Sequence, residues 1–151
     1  MSPFVDQDLP ANAGVLGYLR QRNERGLPLC AAPEHVGLDP YLSLGSHPDI
    51  VERVWKGLGA ELRDDARCVV LGTPGLVASG LVLAIALGTS YALRLPEDEV
   101  AGALDSGLVQ SHRYGRFGPT LDVSTRFGPS WVFGRFDARE PGWVTEAVAT
   151  S

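Results

Sequence analysis

The stretch LVLAIAL, residues 81–87, decides the fold because both of its faces are apolar. A strand of this kind lies in the middle of a sheet and is covered on each side. Ser79-Gly80 before it and Gly88-Thr89 after it are typical of turns. The segments that precede and follow these turns are therefore predicted to be further strands of the same sheet.

The two neighbouring segments continue the strand pattern. Cys68 to Ala78 is predicted to be one strand, interrupted at Gly72-Thr73-Pro74-Gly75 by a bend or bulge. This glycine-rich tetrapeptide is not followed by the Gly-Lys-Ser/Thr of a phosphate loop, nor by a helix. Ser90 to Leu95 alternates apolar and smaller or charged residues, which predicts a strand with one wetter face.

The same region contains no charged residue from Cys68 to Leu93, a length that exceeds what a membrane-spanning helix needs. Glycine and proline interrupt it too often for one helix, so successive strands are predicted instead of a membrane span. Residues 1–10 lack the apolar segment of a signal peptide. The chain is therefore expected in the cytoplasm, without a membrane partner.

Helical patterns occur on both sides of these strands. Ser46 and Asp49 have the spacing of a capping box, and apolar residues then recur at helical spacing up to Leu62. A second helix is predicted to begin at Pro96, where three acidic residues favour its positive end, and to end at Gly107.

The remainder of the chain completes an α+β domain. Strands are predicted between Ser111 and Asp137, most clearly at Trp131 to Phe136, and a last helix is predicted from Glu140-Pro141 onward. The resulting order is α-β-β-β-α-β-β-α, which indicates an antiparallel sheet with helices mainly on one face. The domain is predicted to span residues 46–151.

Residues 1–45 are predicted to be an N-terminal extension. Asn12 is a suitable cap for a short helix that carries Val15, Leu16, Tyr18 and Leu19. The following residues are rich in proline and have no clear period, so we expect an irregular segment that contributes to an interface.

Composition limits the classes of function. Apolar residues make up 44% and charged residues 21% of the chain, as in ordinary globular proteins. A net charge of −5 argues against a general binder of nucleic acid, because such binding depends on cationic side chains. The two cysteines, Cys30 and Cys68, and the three histidines lack metal-ligand spacing. We therefore predict reduced thiols, no metal site and no cofactor.

One polar cluster is a candidate ligand site. Arg94, on an otherwise apolar strand, and the run His112-Arg113-Tyr114 could together line an anion-binding groove. His112 is a potential acid or base, but the sequence places no carboxylate to orient it. The alternative is that Arg94 projects to the wet face or pairs with a carboxylate, while His112 lies on an ordinary surface strand. No catalytic residue is predicted.

The dipeptide Arg-Phe recurs at residues 116–117, 126–127 and 135–136. On strands, the phenylalanines would enter the core while the arginines meet solvent. The alternative interpretation is a nucleic-acid surface in which Arg116, Arg126 and Arg135 contact phosphates and the rings stack on bases.

Several strings together resemble a known group of proteins. They are HPDIVERV at 47–54, LVLAIAL at 81–87, SYALRLPE at 90–97, and WVF at 131–133 followed by Trp143. The chain, over residues 47–150, resembles the TfoX N-terminal domain and the YjbR-like proteins, whose fold is related to type III secretion chaperones. Residues 72–74, 91–96 and 131–135 also resemble a bacterial family without an assigned activity.

The resemblance implies an α+β fold and a regulatory role, with DNA binding for the YjbR-like proteins. The acidic net charge of this chain departs from what DNA binding requires. The sequence is therefore expected to encode a non-enzymatic interaction or regulatory domain, most simply a homodimer. The alternatives are an anion-binding or small-molecule-binding domain and a nucleic-acid-binding domain.

Overall fold

The computed structural model describes residues 4–36, 46–59, 62, 64–107, 109–115 and 118–134. Its central feature is a six-stranded antiparallel sheet in which consecutive strands pair over most of the width. The strand order is β1 (Arg67–Val70), β2 (Thr73–Ala78), β3 (Leu81–Leu87), β4 (Ser90–Arg94), β8 (Trp131–Gly134) and β5 (Val109–Gln110). A separate hairpin contains β6 (His112–Gly115) and β7 (Gly118–Asp122).

Four short α-helices accompany the strands in the described part of the chain. They are α1 (Ala13–Arg22), α2 (Pro48–Glu52), α3 (Val100–Asp105) and α4 (Val123–Arg126), and α2 continues as a π-helical segment over Arg53–Leu58. The α+β class, the antiparallel sheet and the general order of elements are confirmed. None of the helices in the described part of the chain is long and apolar enough to cross a membrane.

The predicted central strand is confirmed. Every residue of β3 is buried, and β3 pairs with β2 on one side and β4 on the other. Its side chains enter two hydrophobic clusters: Leu83 and Ala86 contribute to one, and Val82 and Ile85 to the other. The sheet is therefore covered on both faces, as its two-sided apolar sequence requires.

The helices are divided between these two faces. The first face is covered by α2 and its π-helical continuation, and the Trp55 Nε1–H group donates to the Gly75 carbonyl at 2.8 Å. The second face is covered by α1 and by α4, so the helices do not lie mainly on one face. The contributing residues on that side are Val15, Leu16, Leu19, Val123 and Phe127.

One predicted strand is two strands. The expectation of a single strand from Cys68 to Ala78 with a bend was wrong, because β1 and β2 form a hairpin with the register Val70 to Thr73. Leu71 and Gly72 both have positive φ, 48° and 84°. This combination is typical of a type I′ turn, whose twist matches that of the strands.

The start of α2 also differs from the prediction. His47, not Ser46, is the N-cap, and its Nδ1 accepts from the Asp49 N–H at 3.1 Å. The Ser46 hydroxyl instead accepts from the Gly88 N–H at 3.1 Å. The predicted capping hydroxyl therefore binds the turn after β3, where it ties the helix start to the sheet.

The short N-terminal helix is confirmed, but Asn12 does not cap it through its side chain. Asn12 is fully buried, and its amide Nδ2 donates to the carbonyls of Asp6 and Gly80, each at 2.8 Å. The residue expected only to cap the start of a helix in an N-terminal extension therefore joins that segment to the sheet through its side chain.

The closing strand predicted at Trp131 to Phe136 is confirmed over β8, and Phe136 lies outside the described residues. The last predicted helix, from Glu140-Pro141, lies outside them as well.

Candidate functional site

The site is built where α1 crosses α4. Gly14 allows this approach: a Cβ atom at Gly14 would lie 2.6 Å from the Arg126 carbonyl oxygen. Asp122 begins α4, because its Oδ1 accepts from the Ser124 N–H at 3.1 Å and from the Thr125 N–H at 3.4 Å. The glycine and the acidic N-cap together place the end of α4 against α1.

Three aromatic rings extend inward from this crossing. Tyr18 on α1 contacts Phe127 with ring centroids 5.2 Å apart, and Phe127 meets Trp131 edge-on at 5.3 Å. Tilted and edge-on contacts at these distances are favourable for aromatic pairs. Phe127 and Trp131 are buried, whereas Tyr18 is only partly buried. The series therefore connects the core of the second face to the surface of α1.

Two arginines cover the outer ring of this series. The guanidinium carbons of Arg22 and Arg126 lie 5.4 Å and 5.2 Å from the Tyr18 centroid. Arg22 Nη1 also donates to the Tyr18 hydroxyl at 2.6 Å, and Arg126 Nη2 donates to Gln21 Oε1 at 3.3 Å. We call Tyr18, Gln21, Arg22 and Arg126 the arginine–tyrosine surface.

Among the residues that the structure describes, no acid balances the charge of this surface. Both arginines are exposed, and neither forms an ion pair with a carboxylate in the described parts of the chain. Each guanidinium thus keeps N–H groups available at the surface, in the planar arrangement that suits a carboxylate or a phosphate. Cation–π contacts at an exposed ring contribute about 0.5–1 kcal/mol each and hold these groups in place.

The inner end of the aromatic series is closed by Arg94. Its guanidinium carbon lies 4.9 Å from the Trp131 centroid, its Nε donates to the Val82 carbonyl at 3.2 Å, and its Nη2 donates to the Ala11 carbonyl at 2.9 Å. Only 7% of Arg94 is exposed. Burial lowers its pKa to about 10, so the side chain still carries its charge at neutral pH.

Arg94 therefore joins three parts of the fold: its own strand β4, the neighbouring β3, and the segment before α1. The expectation that it projects to a wet face is not met. The Trp131 Nε1–H group beside it has no hydrogen-bond partner among the residues that the structure describes. The contacts of Arg94 are those of a structural residue.

The other predicted ligand-binding residues lie on a different element. His112, Arg113 and Tyr114 belong to β6, in the hairpin outside the six-stranded sheet. The structure describes their backbone and not their side chains. A groove that they share with Arg94 thus stays a prediction.

The three predicted phosphate contacts have different outcomes. Arg116 and Arg135 lie outside the described residues. Arg126 is exposed, and the following Phe127 is buried in the core, as expected for an arginine outside and a phenylalanine inside. Yet this dipeptide lies at the end of α4 and not on a strand. A buried Phe127 is also not presented to a base.

The exposed guanidinium groups of Arg22 and Arg126 can bind a planar anionic group such as a carboxylate. Within the described ranges, no group of three or more His, Cys, Asp or Glu side chains is placed to hold a metal ion. Part of the arginine–tyrosine surface has a local signal in the sequence, because Tyr18 and Arg22 are four residues apart on a helix and such pairs are neighbours. The approach of Arg126, more than a hundred residues later, has no local signal.

Comparison with known proteins found no matching family model, curated protein or solved structure. The resemblance to the TfoX N-terminal domain and the YjbR-like proteins therefore remains an expectation from the sequence.

Proposed function

We propose that this chain is a non-enzymatic interaction domain that forms a homodimer, with the arginine–tyrosine surface as part of the contact. One observation carries the proposal: two exposed guanidinium groups are held on one partly buried tyrosine ring, without a carboxylate partner in the described residues. Arginine and tyrosine are both enriched in protein interfaces and among the residues that dominate binding energy.

The contacts around Tyr18 reduce the entropic cost of binding. A free arginine loses much side-chain freedom when a partner immobilises it. Arg22 is already restrained by the Tyr18 ring and hydroxyl, and Arg126 by the same ring and by Gln21. A carboxylate that approaches these groups thus meets a surface that is largely organised before binding.

A second copy of the chain offers suitable acidic groups. The chain has 18 acidic and 13 basic residues, so its remaining surface is predominantly negative. Glu97 and Asp98, at the start of the segment that leads into α3, are exposed. Attraction between the arginine–tyrosine surface and such an acidic segment would favour association and weaken as salt increases.

Nucleic-acid binding has less support. Stacking on bases needs exposed rings, and Phe127 is in the core. We further propose that the protein acts in the cytoplasm, where its thiols, Cys30 and Cys68, stay reduced under ordinary conditions.

The test compares oligomeric state across three proteins by native mass spectrometry and sedimentation at low and high salt. Wild type should be a dimer. Arg22→Ala/Arg126→Ala should weaken the dimer by about tenfold or more, because two restrained interface groups are lost. Arg25→Ala removes an exposed arginine without touching Tyr18 and should leave the dimer intact.

Two results would redirect the proposal. A wild-type protein that stays monomeric at every concentration and salt level would exclude the homodimer. A reproducible small-molecule adduct in the native spectrum, lost in Arg113→Ala, would favour the anion-binding alternative instead.

A further inference from the structure

The edge of the six-stranded sheet is covered by the segment Pro28–Ala31. Ala31 and Val69 of β1 form an isolated antiparallel bridge with both hydrogen bonds present, at 3.0 Å and 2.8 Å. The Leu71 N–H also donates to the Pro28 carbonyl at 3.2 Å. An uncovered edge strand would expose its main-chain groups to other chains, and this segment satisfies several of them.

The same bridge brings the two cysteines together. Cys30 and Cys68 each precede one member of the Ala31–Val69 pair, so their side chains point to the same side of the sheet. Both lie in the hydrophobic cluster of the second face, where Cys68 is fully buried and Cys30 is partly exposed. Each thiol shifts the pKa of the other, so the two side chains are close.

The two sulfurs differ in chemistry. Interaction with the Cys68 side chain lowers the pKa of Cys30, and interaction with the Cys30 side chain raises that of Cys68 well above the ordinary value for a thiol. The Cys68 thiol itself donates to the Gly75 carbonyl at 3.8 Å. Burial raises the pKa of Cys68 further. Cys30 is thus the sulfur that more readily becomes a thiolate, and it is also the one that solvent can reach.

We propose that Cys30 and Cys68 form a reversible oxidation site, in which Cys30 reacts with a hydroperoxide and Cys68 closes a disulfide. An accessible sulfur and a buried one lie on the same side of the sheet beside the Ala31–Val69 bridge. Cys30 and Cys68 lie diagonally across this bridge, so closing a disulfide requires the segment that carries Cys30 to shift toward β1.

The reaction has two steps. The Cys30 thiolate attacks one peroxide oxygen; a sulfur–oxygen bond forms, the oxygen–oxygen bond breaks, and the leaving hydroxide takes up the Cys30 proton as water. Cys68 then attacks the Cys30 sulfur; a disulfide forms, the sulfur–oxygen bond breaks, and the second water carries away the Cys68 proton. The peroxide gains the two electrons that the two thiols lose, and an external dithiol reverses the change by exchange.

The structural consequence concerns the sheet edge. A disulfide between these residues would tie Pro28–Ala31 to β1 and limit the opening of this covering segment. The amides of Val69 and Leu71, which donate to that segment, should exchange their hydrogens several times more slowly after oxidation.

The experiment treats the native protein with one to several equivalents of hydrogen peroxide. Intact mass should fall by about 2 Da, the two thiol hydrogens, and peptide mapping should recover a Cys30–Cys68 cross-link that dithiothreitol removes. Slower exchange at Val69 and Leu71 should appear with the cross-link and disappear on reduction.

Two variants separate the roles of the sulfurs. Cys68→Ser should stop at a Cys30 sulfenic acid that dimedone captures, whereas Cys30→Ser should not react in the folded state. A native wild type that keeps both thiols, or one that oxidises at Cys30 without forming the cross-link, would overturn the proposal. Because the wild-type measurement decides this alone, a variant that fails to fold does not affect the outcome.

Discussion

Asn12 and Arg94 bind the two main-chain groups of the same residue. The Val82 N–H donates to Asn12 Oδ1 at 3.0 Å, and the Val82 carbonyl accepts from Arg94 Nε at 3.2 Å. The pairing of β3 with β4 ends at Ala84 and Leu93, so Val82 lies beyond it. Two side chains therefore supply the hydrogen bonds that a continued strand would have supplied, and both attach the N-terminal segment to the sheet.

Asn12→Asp should destabilise the fold by about 2–4 kcal/mol, because it leaves buried polar groups without partners. The carboxylate can still accept a hydrogen bond from the Val82 N–H, but it cannot donate to the carbonyls of Asp6 and Gly80. A carboxylate oxygen would instead lie against these two carbonyl oxygens. Urea unfolding of wild type and variant measures this difference in free energy.

Asn23→Asp is the matched control for this measurement. The Asn23 side-chain amide also makes two hydrogen bonds: it donates to the Leu27 carbonyl at 2.8 Å and accepts from the Leu27 N–H at 3.0 Å. Unlike Asn12, Asn23 is only partly buried. Loss of the Asn23 donor should lower the free energy of unfolding by about 1 kcal/mol or less, because water can donate to the Leu27 carbonyl in its place. Equal costs at the two positions would show that Asn12 is not the buried link described here.

Asn12→Ala and Arg94→Ala should be energetically coupled. Once either side chain is removed, Val82 and the segment before α1 loosen, and removal of the second costs less than it does in wild type. A double-mutant cycle should give a coupling of about 1 kcal/mol or more, within the range for residues that share a partner. The pair Arg94→Ala with Asn23→Ala shares no partner, and we expect additivity within about 0.5 kcal/mol. Additivity in both pairs would contradict the shared role at Val82.

Local patterns in the sequence predicted much of the architecture. The apolar run of β3 and the α2 pattern from Ile50 onward follow from short-range periodicity. These features depend on neighbours within a few residues, which is the distance over which propensity and pattern act. The burial of Phe127 beside an exposed Arg126 was predicted for a strand and occurs instead at the end of α4.

The departures from the prediction arise from contacts between distant residues. Ser46 and Asn12 have the right chemistry for helix caps, but Gly88 and Val82, far along the chain, take their hydrogen bonds. Arg94 was expected in an anion-binding groove, at a wet face or beside a carboxylate, and it is enclosed by Ala11 and Trp131. In each case a tertiary contact outweighs the local preference.

Ser79→Asn should stabilise the protein by about 0.5–1 kcal/mol. Ser79 and Gly80 form the two-residue turn between β2 and β3, with φ values of 52° and 80°. Asparagine adopts a positive φ more readily than serine, and Asn-Gly is a preferred pair for a type I′ turn. Ser79 is exposed, so no packing is lost. Thermal unfolding should show a higher midpoint.

Leu71→Asn is the informative comparison for Ser79→Asn. Leu71 also has a positive φ, 48°, but only 8% of it is exposed. At Leu71 the asparagine should also relieve the backbone, but the substitution removes buried apolar surface. The stability lost with that surface should equal or exceed the stability gained in the backbone. If both variants gained equally, the benefit would not come from turn geometry alone.

Gly14→Ala and Gly17→Ala should have opposite effects although they lie one turn apart on α1. A Cβ at Gly14 would lie 2.6 Å from the Arg126 carbonyl oxygen and 2.8 Å from the Phe127 carbonyl oxygen. Both are main-chain atoms, which cannot move away by a change of side-chain rotamer. A Cβ at Gly17 meets no atom within 4 Å. Gly14→Ala should therefore push α1 away from α4 and cost about 1–3 kcal/mol, as overpacking does.

Gly17→Ala should instead stabilise α1 by up to about 1 kcal/mol, since alanine loses less backbone entropy than glycine on forming a helix. The two variants also test the proposed interface. Because Tyr18 and Arg126 meet only where α1 touches α4, Gly14→Ala should weaken the dimer as well as the fold, while Gly17→Ala should leave the dimer unchanged. Unfolding free energies and native mass spectra of the same two proteins check both effects. A Gly14→Ala protein as stable as Gly17→Ala would mean that α1 does not lie against the end of α4.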